Sequence, residues 1–135
     1  MSALTEDRAT EQMEGELLYF PVAVGAVIYG GALVALNTEG FAQPGASAPD
    51  LTAAGMATQR VVNTGDEGEL YIEVRRGRAF KFENDPSDPV SQAHLLQPCY
   101  MVDDQTVTAS DGDGALSVAG QVVDVEDDGV WVFIG

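Results

Sequence analysis

Cysteine is nearly absent from this sequence. Cys99 is the only one, so no disulfide can form within the chain. This excludes a disulfide-stapled secreted scaffold and favours folding in a reducing cytoplasm. His94 is likewise the only histidine, and Pro98 lies between it and Cys99. A Cys–His nucleophile pair needs a third group that orients it, and one residue of each type gives no such pattern, so we expect structural roles for both.

Basic residues are scarce as well. The chain has 6 Lys and Arg against 22 Asp and Glu among 135 residues, for a net charge of −16. Such a surface repels a phosphate backbone, which argues against nucleic acid as a partner. The charge suits a highly soluble protein, or one that works in a salty environment. With 45% hydrophobic residues, the composition is that of a globular protein with one modest core.

Long apolar runs are missing too. The richest stretch, residues 17–36, is interrupted by Pro21 and several glycines, whereas a membrane helix needs about 18 or more apolar residues in succession. Residues 1–15 are polar and acidic, without the basic and apolar regions of a signal peptide. We therefore expect no membrane-spanning segment and no membrane partner.

The first 15 residues form the predicted N-terminal arm. They carry few large apolar side chains and no stripe that would sustain a long helix. We expect this arm to be mobile in the free protein. It is either a frayed terminus or a segment that becomes ordered on a partner, and in the second case we expect Leu4, Thr5 and Arg8 to make the contacts.

The sequence contains no pattern that indicates a metal, a cofactor or a catalytic centre. Asp111–Gly114 departs from a calcium loop, because Ala115 stands where a third ligand belongs and Val122 where the bidentate glutamate would be. Asp-Gly pairs are also ordinary turn sequences. The pair Gly30–Gly31 lacks the third glycine of a dinucleotide-binding loop. We therefore predict no cofactor, no bound metal and no enzymatic activity.

Short apolar segments separated by turn residues recur about every 8–12 residues after the arm. This spacing predicts a mainly β protein, a small single-domain β-barrel or sandwich spanning residues 16–135, with one short helix at residues 90–96. Gly120 is a predicted β-bulge. The predicted strands cover residues 17–24, 27–29, 32–36, 41–44, 55–63, 70–75, 79–83, 99–102, 105–108, 116–125 and 130–134.

Residues 69–83, ELYIEVRRGRAFKFE, have the clearest pattern in the chain. Apolar and polar side chains alternate over residues 70–75 and again over residues 79–83, as in half-buried strands. Gly77, between them, readily adopts the positive φ of a turn. The segment is therefore predicted to form a β-hairpin near the centre of the barrel.

Four of the six basic residues lie in this segment. Arg75, Arg76 and Arg78 surround Gly77 and would form a basic tip on an otherwise acidic body. They are either solvated turn residues that offset nearby glutamates, or a docking contact, because guanidinium groups pair bidentately with carboxylates. In the second case the partner is an acidic patch on another copy of the chain or on another protein.

Trp131 lies in the last predicted strand, VWVFI at residues 130–134. Both faces of this strand are apolar, so we expect both to be buried, one of them by a neighbouring subunit if the chain itself does not cover it. Trp131 is therefore either a core residue, which the pattern favours, or an interface residue.

Five strings, taken in order, resemble a known family. They are YGGALVALNTEGFAQP at residues 29–44, VRRG at 74–77, CYMVDDQTV at 99–107, VAGQVVDV at 118–125 and DGVWV at 128–132. Each string alone is ordinary turn-and-strand sequence. Together, over roughly residues 17–134, they resemble the head decoration (capsid cement) proteins encoded beside the major capsid protein of tailed bacteriophages and prophages.

The resemblance implies a β-barrel-like protein that assembles as a homotrimer. Such trimers sit on the outer surface of the expanded capsid of the virion, at three-fold and quasi-three-fold positions, and bridge major capsid protein subunits. The family has no enzymatic activity, and its members are made in the host cytoplasm. The residues that we expect at capsid or subunit interfaces are Leu4, Thr5, Arg8, Arg75, Arg76, Arg78 and Trp131.

A ligand-binding β-module, for example one that binds cell-surface glycans, is the alternative interpretation. Such a site needs exposed aromatic rings beside carboxylates in a groove. The sequence has rings to offer but does not bring them together, and an enzyme on a β-barrel is a third interpretation that nothing in the sequence favours. The candidate rings belong to Tyr19, Tyr29, Tyr71, Tyr100 and Trp131.

Overall fold

Twelve short β-strands and one turn of 3₁₀-helix, Gln92–His94, make up the computed structural model, which describes residues 3–11 and 15–135. The prediction of a mainly β, small single-domain protein is therefore confirmed. The strands are β1 Leu17–Pro21, β2 Val27–Ile28, β3 Leu33–Leu36, β4 Ala42–Pro44, β5 Thr52–Ala57, β6 Val61–Val62, β7 Tyr71–Arg75, β8 Arg78–Asn84, β9 Pro98–Met101, β10 Thr106–Thr108, β11 Val118–Glu126 and β12 Gly129–Ile134.

The strands form two main layers. An open sheet has the order β1-β7-β5-β3-β4, and a closed barrel has the order β10-β8-β12-β11-β9. A two-stranded ribbon, β2-β6, accompanies them. The open sheet curls, because the chain that leaves β1 reaches the opposite edge, where the Ala23 N–H donates to the Ala42 carbonyl at 2.9 Å. The β-barrel prediction is confirmed for the second layer.

The predicted strand at residues 55–63 is wrong in its limits. The structure has two strands there, β5, which starts at Thr52, and β6. Thr58, just after β5, donates its N–H to the Glu73 carbonyl at 3.1 Å and its hydroxyl to Glu73 Oε1 at 2.7 Å. The chain then leaves β7, and β6 pairs with β2 instead. The helix predicted at residues 90–96 is confirmed as a single short turn.

The predicted hairpin at residues 69–83 is wrong. β7 lies between β1 and β5 in the open sheet, while β8 lies between β10 and β12 in the barrel. The link between them is a corner where the chain changes sheets, as occurs in orthogonal β packings. Gly77 adopts φ +77° there, and its N–H donates to the Ile134 carbonyl. The alternation does place Ile72 and Val74 inward, since both are fully buried.

β3 is the wall between two hydrophobic cores. Leu33 and Ala35 face the core inside the barrel, whereas Val34 and Ala32 face the core under the open sheet. All four side chains are buried. A strand that is buried on both faces carries a continuous apolar run, which explains the sequence ALVAL. The two layers are therefore joined through this strand.

β12 is buried on one face only. Val130, Val132 and Ile134 point into the barrel core, but Trp131 is half-buried and Phe133 is 39% exposed. A single copy therefore leaves the outer face of β12 partly exposed, and Trp131 is not the core residue that the pattern favoured. The strands beside β12, namely β8 and β11, lie in the same barrel wall, so they leave its outer face partly exposed.

The predicted bulge at Gly120 is confirmed. The register between β11 and β9 shifts between Val118 and Gly120. A Cβ at Gly120 would overlap the Phe133 carbonyl oxygen of the neighbouring strand, so this position excludes larger residues.

The arm is described from Ala3 to Glu11, and residues 1, 2 and 12–14 of the predicted arm lie outside the described residues. Every side chain from residue 3 to residue 11 is exposed. The chain bends at Thr5 and Glu6, and the Thr10 N–H donates to the Arg8 carbonyl at 2.9 Å.

None of the helical structure in the described part of the chain has the length and apolar character needed to cross a membrane.

Candidate protein-binding surface

Glu16 anchors the start of the folded domain to the corner between β7 and β8. Its carboxylate accepts a hydrogen bond from Arg75 Nη1 at 2.9 Å and another from Arg78 Nε. Its carbonyl oxygen accepts the Arg76 N–H at 2.8 Å. The Arg78 hydrogen bond, followed by the charges of both arginines, holds the pKa of Glu16 below its ordinary value. Two cations of the corner, Arg75 and Arg78, and the backbone N–H of Arg76 therefore meet one acidic residue at the root of the arm.

The predicted basic tip is consequently not a free solvated turn. Arg75 and Arg78 pair with Glu16, which the sequence pattern does not connect to them, and neither forms an ion pair with Glu67 or Glu69 within the described residues. Because these pairs lie at the surface and are partly open to solvent, they contribute little to the stability of the fold. They do fix where the arm leaves the domain.

Arg76 lines an open groove between the sheet and the barrel. The groove has a volume of about 620 Å³, and Arg76 is the one charged side chain in its described lining. Leu51, Leu96, Val118 and Phe133 are among its apolar lining residues. No ion pair of Arg76 occurs among the described residues. An arginine without an ion-pair partner among the described residues thus shares this groove with the exposed side chains of Leu96, Val118 and Phe133.

Leu96 is held in the groove by an unusual backbone conformation. Its φ is +64° and its side chain is 65% exposed. Such a φ costs a residue other than glycine about 1–2 kcal/mol. The Leu96 N–H donates to the Val122 carbonyl at 2.8 Å, and Gln121 Nε2 donates to the Leu96 carbonyl at 3.1 Å. β11 therefore keeps an apolar side chain exposed at some cost in backbone strain, a feature that is common at functional sites.

Sequence reasoning missed most of this groove. Phe133 alternates with Val132 and Ile134, so the pattern predicts that its side chain faces outward. The pattern does not predict which other residues line the groove beside it. No pattern in the sequence indicates the positive φ of Leu96. Val118 reaches the groove because the Gly120 bulge shifts the register of its strand.

Trp131 belongs to a different surface, on the outside of the barrel. Its Nε1–H donates to Glu126 Oε1, and Lys81 Nζ lies 5.9 Å from its ring centroid. Lys81 also contacts Asp128 at 2.5 Å. The Lys81 partner lowers the pKa of Asp128, and Asp128 raises the pKa of Lys81. The structure therefore does not bring Trp131 together with the arginines of the corner.

The three arm residues that the sequence singles out remain exposed. Leu4 is 72% exposed, and Thr5 and Arg8 are also exposed. The structure does not bring them into contact with the arginines or with Trp131. They lie on an exposed segment that is not packed against the domain.

A second surface, on the open sheet, brings two tyrosines together with a carboxylate. Tyr19 donates its hydroxyl hydrogen bond to Glu73, and Thr58 donates to the other oxygen of Glu73 at 2.7 Å. The Tyr19 hydrogen bond, followed by that of Thr58, lowers the pKa of Glu73, while Glu73 raises the pKa of Tyr19. Tyr71 is 57% exposed and lies two residues before Glu73 on β7, on the same face of the sheet.

The residues that would be needed for nucleophilic chemistry have structural roles. Cys99 is buried in the barrel core, and this burial raises the pKa of its thiol to about 12. His94 Nδ1 accepts the Ser91 N–H at 2.9 Å and closes the 3₁₀ turn. Within residues 3–11 and 15–135, no group of three or more His, Cys, Asp or Glu side chains is arranged to hold a metal ion.

Comparison with models of protein families, with curated proteins and with solved structures finds no match for this chain.

Proposed function

We propose that this chain is a structural virion protein that decorates and reinforces the head of a tailed bacteriophage. In this proposal, homotrimers made in the host cytoplasm bind the outer surface of the expanded shell and bridge major capsid protein subunits. The protein acts by binding and not by catalysis, without a cofactor and without nucleic acid or membrane as partner. The proposal starts from the ordered resemblance of residues 17–134 to capsid cement proteins.

The groove at Arg76 is the observation that carries the proposal. It exposes Leu96, Val118 and Phe133 around a guanidinium that has no ion pair in the described part of the chain. Apolar side chains with an arginine among them are typical of the centres of protein–protein interfaces. A surface of this kind supports a role in binding other protein chains.

The net charge of −16 supports the same role in a second way. Charge of one sign keeps unassembled copies apart in solution. Docking then requires local complementarity, which the arginine of the groove supplies. The protein would therefore remain soluble until it meets the surface that fits it.

The mechanism of reinforcement is thermodynamic. A protein that binds the assembled shell and not the separated subunits stabilises the shell by mass action. Several weak contacts in one assembly add through their effective concentration, so a trimer binds more tightly than a single copy. A shell reinforced in this way resists the outward pressure of packaged DNA.

Co-sedimentation with expanded shells tests the proposal. We expect the protein to pellet with intact heads, and to remain in the supernatant without them. Phe133→Ser should weaken this binding about tenfold or more, as for an interface hot spot. Val123→Ser is the matched control, since Val123 is 38% exposed on the neighbouring strand but does not line the groove. A wild-type protein that stays in the supernatant while heads pellet contradicts the proposal.

The alternative of a glycan-binding module is supported by the cluster of Tyr19, Tyr71 and Glu73. Exposed rings beside an oriented carboxylate are the surface that sugars require, and the fold brings these side chains together. Binding to a glycan array that disappears in Tyr71→Ala would favour this function. Absence of glycan binding, together with pelleting on heads, would dismiss it.

A further inference from the structure

We propose that the groove binds the N-terminal arm of a second copy of the chain, so that copies assemble head to tail. This inference rests on the self-association contained in the proposed function and names the two surfaces that would produce it. One surface is the groove around Arg76. The other is the exposed arm segment, residues 3–11.

The groove selects an occupant that combines an apolar side chain with a carboxylate. Among the described residues, Arg75 and Arg78 pair with Glu16, and Lys81 pairs with Asp128. Arg76 is half-buried and has no such partner. A guanidinium in a partly desolvated site gains more from a carboxylate than an exposed one does. The surrounding apolar walls gain from an apolar side chain beside it.

The arm has this combination in a short span. Leu4 is the large apolar side chain of the described arm and is 72% exposed. Glu6 and Asp7 follow it and are also exposed. In an extended chain they lie about 7–10 Å beyond Leu4. The arm therefore brings one apolar anchor and two carboxylates to a groove that has apolar walls and one arginine.

The arm of another copy, and not the chain's own arm, is the proposed occupant. No residue of the segment 3–11 lines the groove of its own chain. The 12 residue-to-residue steps from Leu4 to Glu16 span about 40 Å when extended. A folded domain of this length is about 35 Å across. An arm that leaves one domain beside its corner can therefore reach the groove of a neighbour.

The symmetry of the contact agrees with the proposed homotrimer. An interface between two different surfaces, here arm and groove, is head to tail, and such interfaces close into rings when the rotation from one copy to the next closes. A contact between identical surfaces would give a two-fold dimer instead. If each copy places its arm in the groove of the next, three copies form a ring. The rest of the acidic surface then stays exposed to solvent.

Leu96→Asn separates binding from folding. Asparagine tolerates a positive φ better than leucine does, so the thermal midpoint should stay the same or rise. The apolar contact with the arm is lost, so the dissociation constant of the assembly should rise about tenfold or more. Light scattering and analytical ultracentrifugation at increasing concentration measure this constant against the monomer mass of 14.2 kDa. If Leu96→Asn assembles as tightly as the wild type, the groove is not the contact.

Charge reversal tests the pairing directly. Arg76→Glu should weaken assembly about tenfold or more, and Glu6→Arg with Asp7→Arg in the same chain should restore it. Arg60→Glu is the matched control, because Arg60 lies over the Tyr29 ring at 5.4 Å, away from the groove. An equal loss in Arg60→Glu, or no rescue by the reversed arm, overturns the pairing.

Crosslinking separates the neighbouring copy from the chain's own arm. Leu4→Cys and Val118→Cys are made in separate chains, mixed, and oxidised with oxidised glutathione. Cys99 is buried and does not compete. A disulfide between the two chains is expected. A disulfide that forms only when both cysteines are in one chain, or a wild type that remains monomeric at all concentrations, overturns the inference.

Shell binding distinguishes this inference from the proposed function. Protein that assembles through arm and groove but does not pellet with heads leaves the inference standing and removes the virion role. Protein that pellets with heads as a monomer supports the virion role and overturns the assembly through arm and groove.

Discussion

Gly55 shows how one residue permits two strands to meet. Its φ is +144°, and a Cβ there would overlap the Arg75 carbonyl oxygen and lie 2.9 Å from Val74 Cγ1. We expect Gly55→Ala to lower the free energy of unfolding by about 2–5 kcal/mol, through backbone strain and overpacking together. Chemical denaturation measures the loss.

Gly25→Ala is the control for this prediction. Gly25 has a φ of +74°, but nothing lies within 4 Å of an added Cβ. Only the backbone term remains, so we expect a loss of about 1–2 kcal/mol. Equal effects in the two variants would show that steric overlap with β7 does not matter.

Glu16 makes the attachment of the arm pH-dependent. The arginines of the corner lower the pKa of Glu16 in the folded protein. Its contribution to stability is therefore fully present above the ordinary carboxyl pKa of about 4.3. It is lost as the pH falls through the lower pKa of the folded state. NMR titration of the side-chain carboxyl should show a midpoint below the ordinary value.

Glu16→Gln should abolish this part of the pH dependence. Thermal midpoints measured through the acid range should fall less steeply in the variant than in the wild type. Parallel curves for the two proteins would mean that the Glu16 contacts do not contribute to stability in solution.

The arginines also show the limit of sequence reasoning at this scale. The positions of Arg75, Arg76 and Arg78 around Gly77 in the sequence indicate a basic cluster. Their partner, Glu16, is far away in sequence and becomes adjacent only because β1 pairs with β7. Two of the arginines form ion pairs and the third lines the groove. This difference follows from the geometry of the corner and is not visible in the sequence.

At the scale of elements, β3 contributes residues to both cores, so we expect the two cores to unfold together. Val34 faces the core of the open sheet. Trp131 lies on β12 of the barrel, so its fluorescence follows the unfolding of the barrel. Val34→Ala leaves a cavity in a closely packed interior. Because β3 joins both cores, we expect Trp131 fluorescence and far-UV circular dichroism to shift to the same lower denaturant midpoint. Val24→Ala, at a position 57% exposed, should change the free energy of unfolding by less than about 0.5 kcal/mol.

Transitions that separate in Val34→Ala would contradict this coupling. A barrel that unfolds at its original midpoint, while the circular dichroism transition moves, would show that the layers unfold independently.

β7 and β8 show why alternation does not identify a strand's partner. The period of two correctly assigns both segments as strands and correctly orients Ile72 and Phe82 inward. A short link with a glycine is equally compatible with a hairpin and with a corner. The choice depends on which other strands are available, and β1, β5, β10 and β12 satisfy the backbone groups of β7 and β8 instead.

At the scale of the molecule, we propose a role for the arm in binding and not in the fold. All its described residues are exposed. Deleting residues 1–15 should therefore leave the thermal midpoint of dilute, unassembled protein unchanged. The same deletion should weaken pelleting with heads, because a copy that no longer assembles loses the gain from multiple contacts. Unchanged affinity for heads would contradict a role for the arm, and a lower midpoint in dilute protein would show that it stabilises the domain.

The sequence by itself determined the class of the fold, most strand positions, the bulge at Gly120 and the acidic character of the surface. These follow from local properties, namely side-chain period, turn residues and charge, which do not depend on distant parts of the chain. Only the tertiary structure decided that β7 and β8 belong to different sheets, that β3 divides two cores and that Arg76 shares a groove with Leu96 and Phe133. Those features arise where residues far apart in sequence compete for the same hydrogen bonds and the same buried space, and a linear pattern does not record the outcome of that competition.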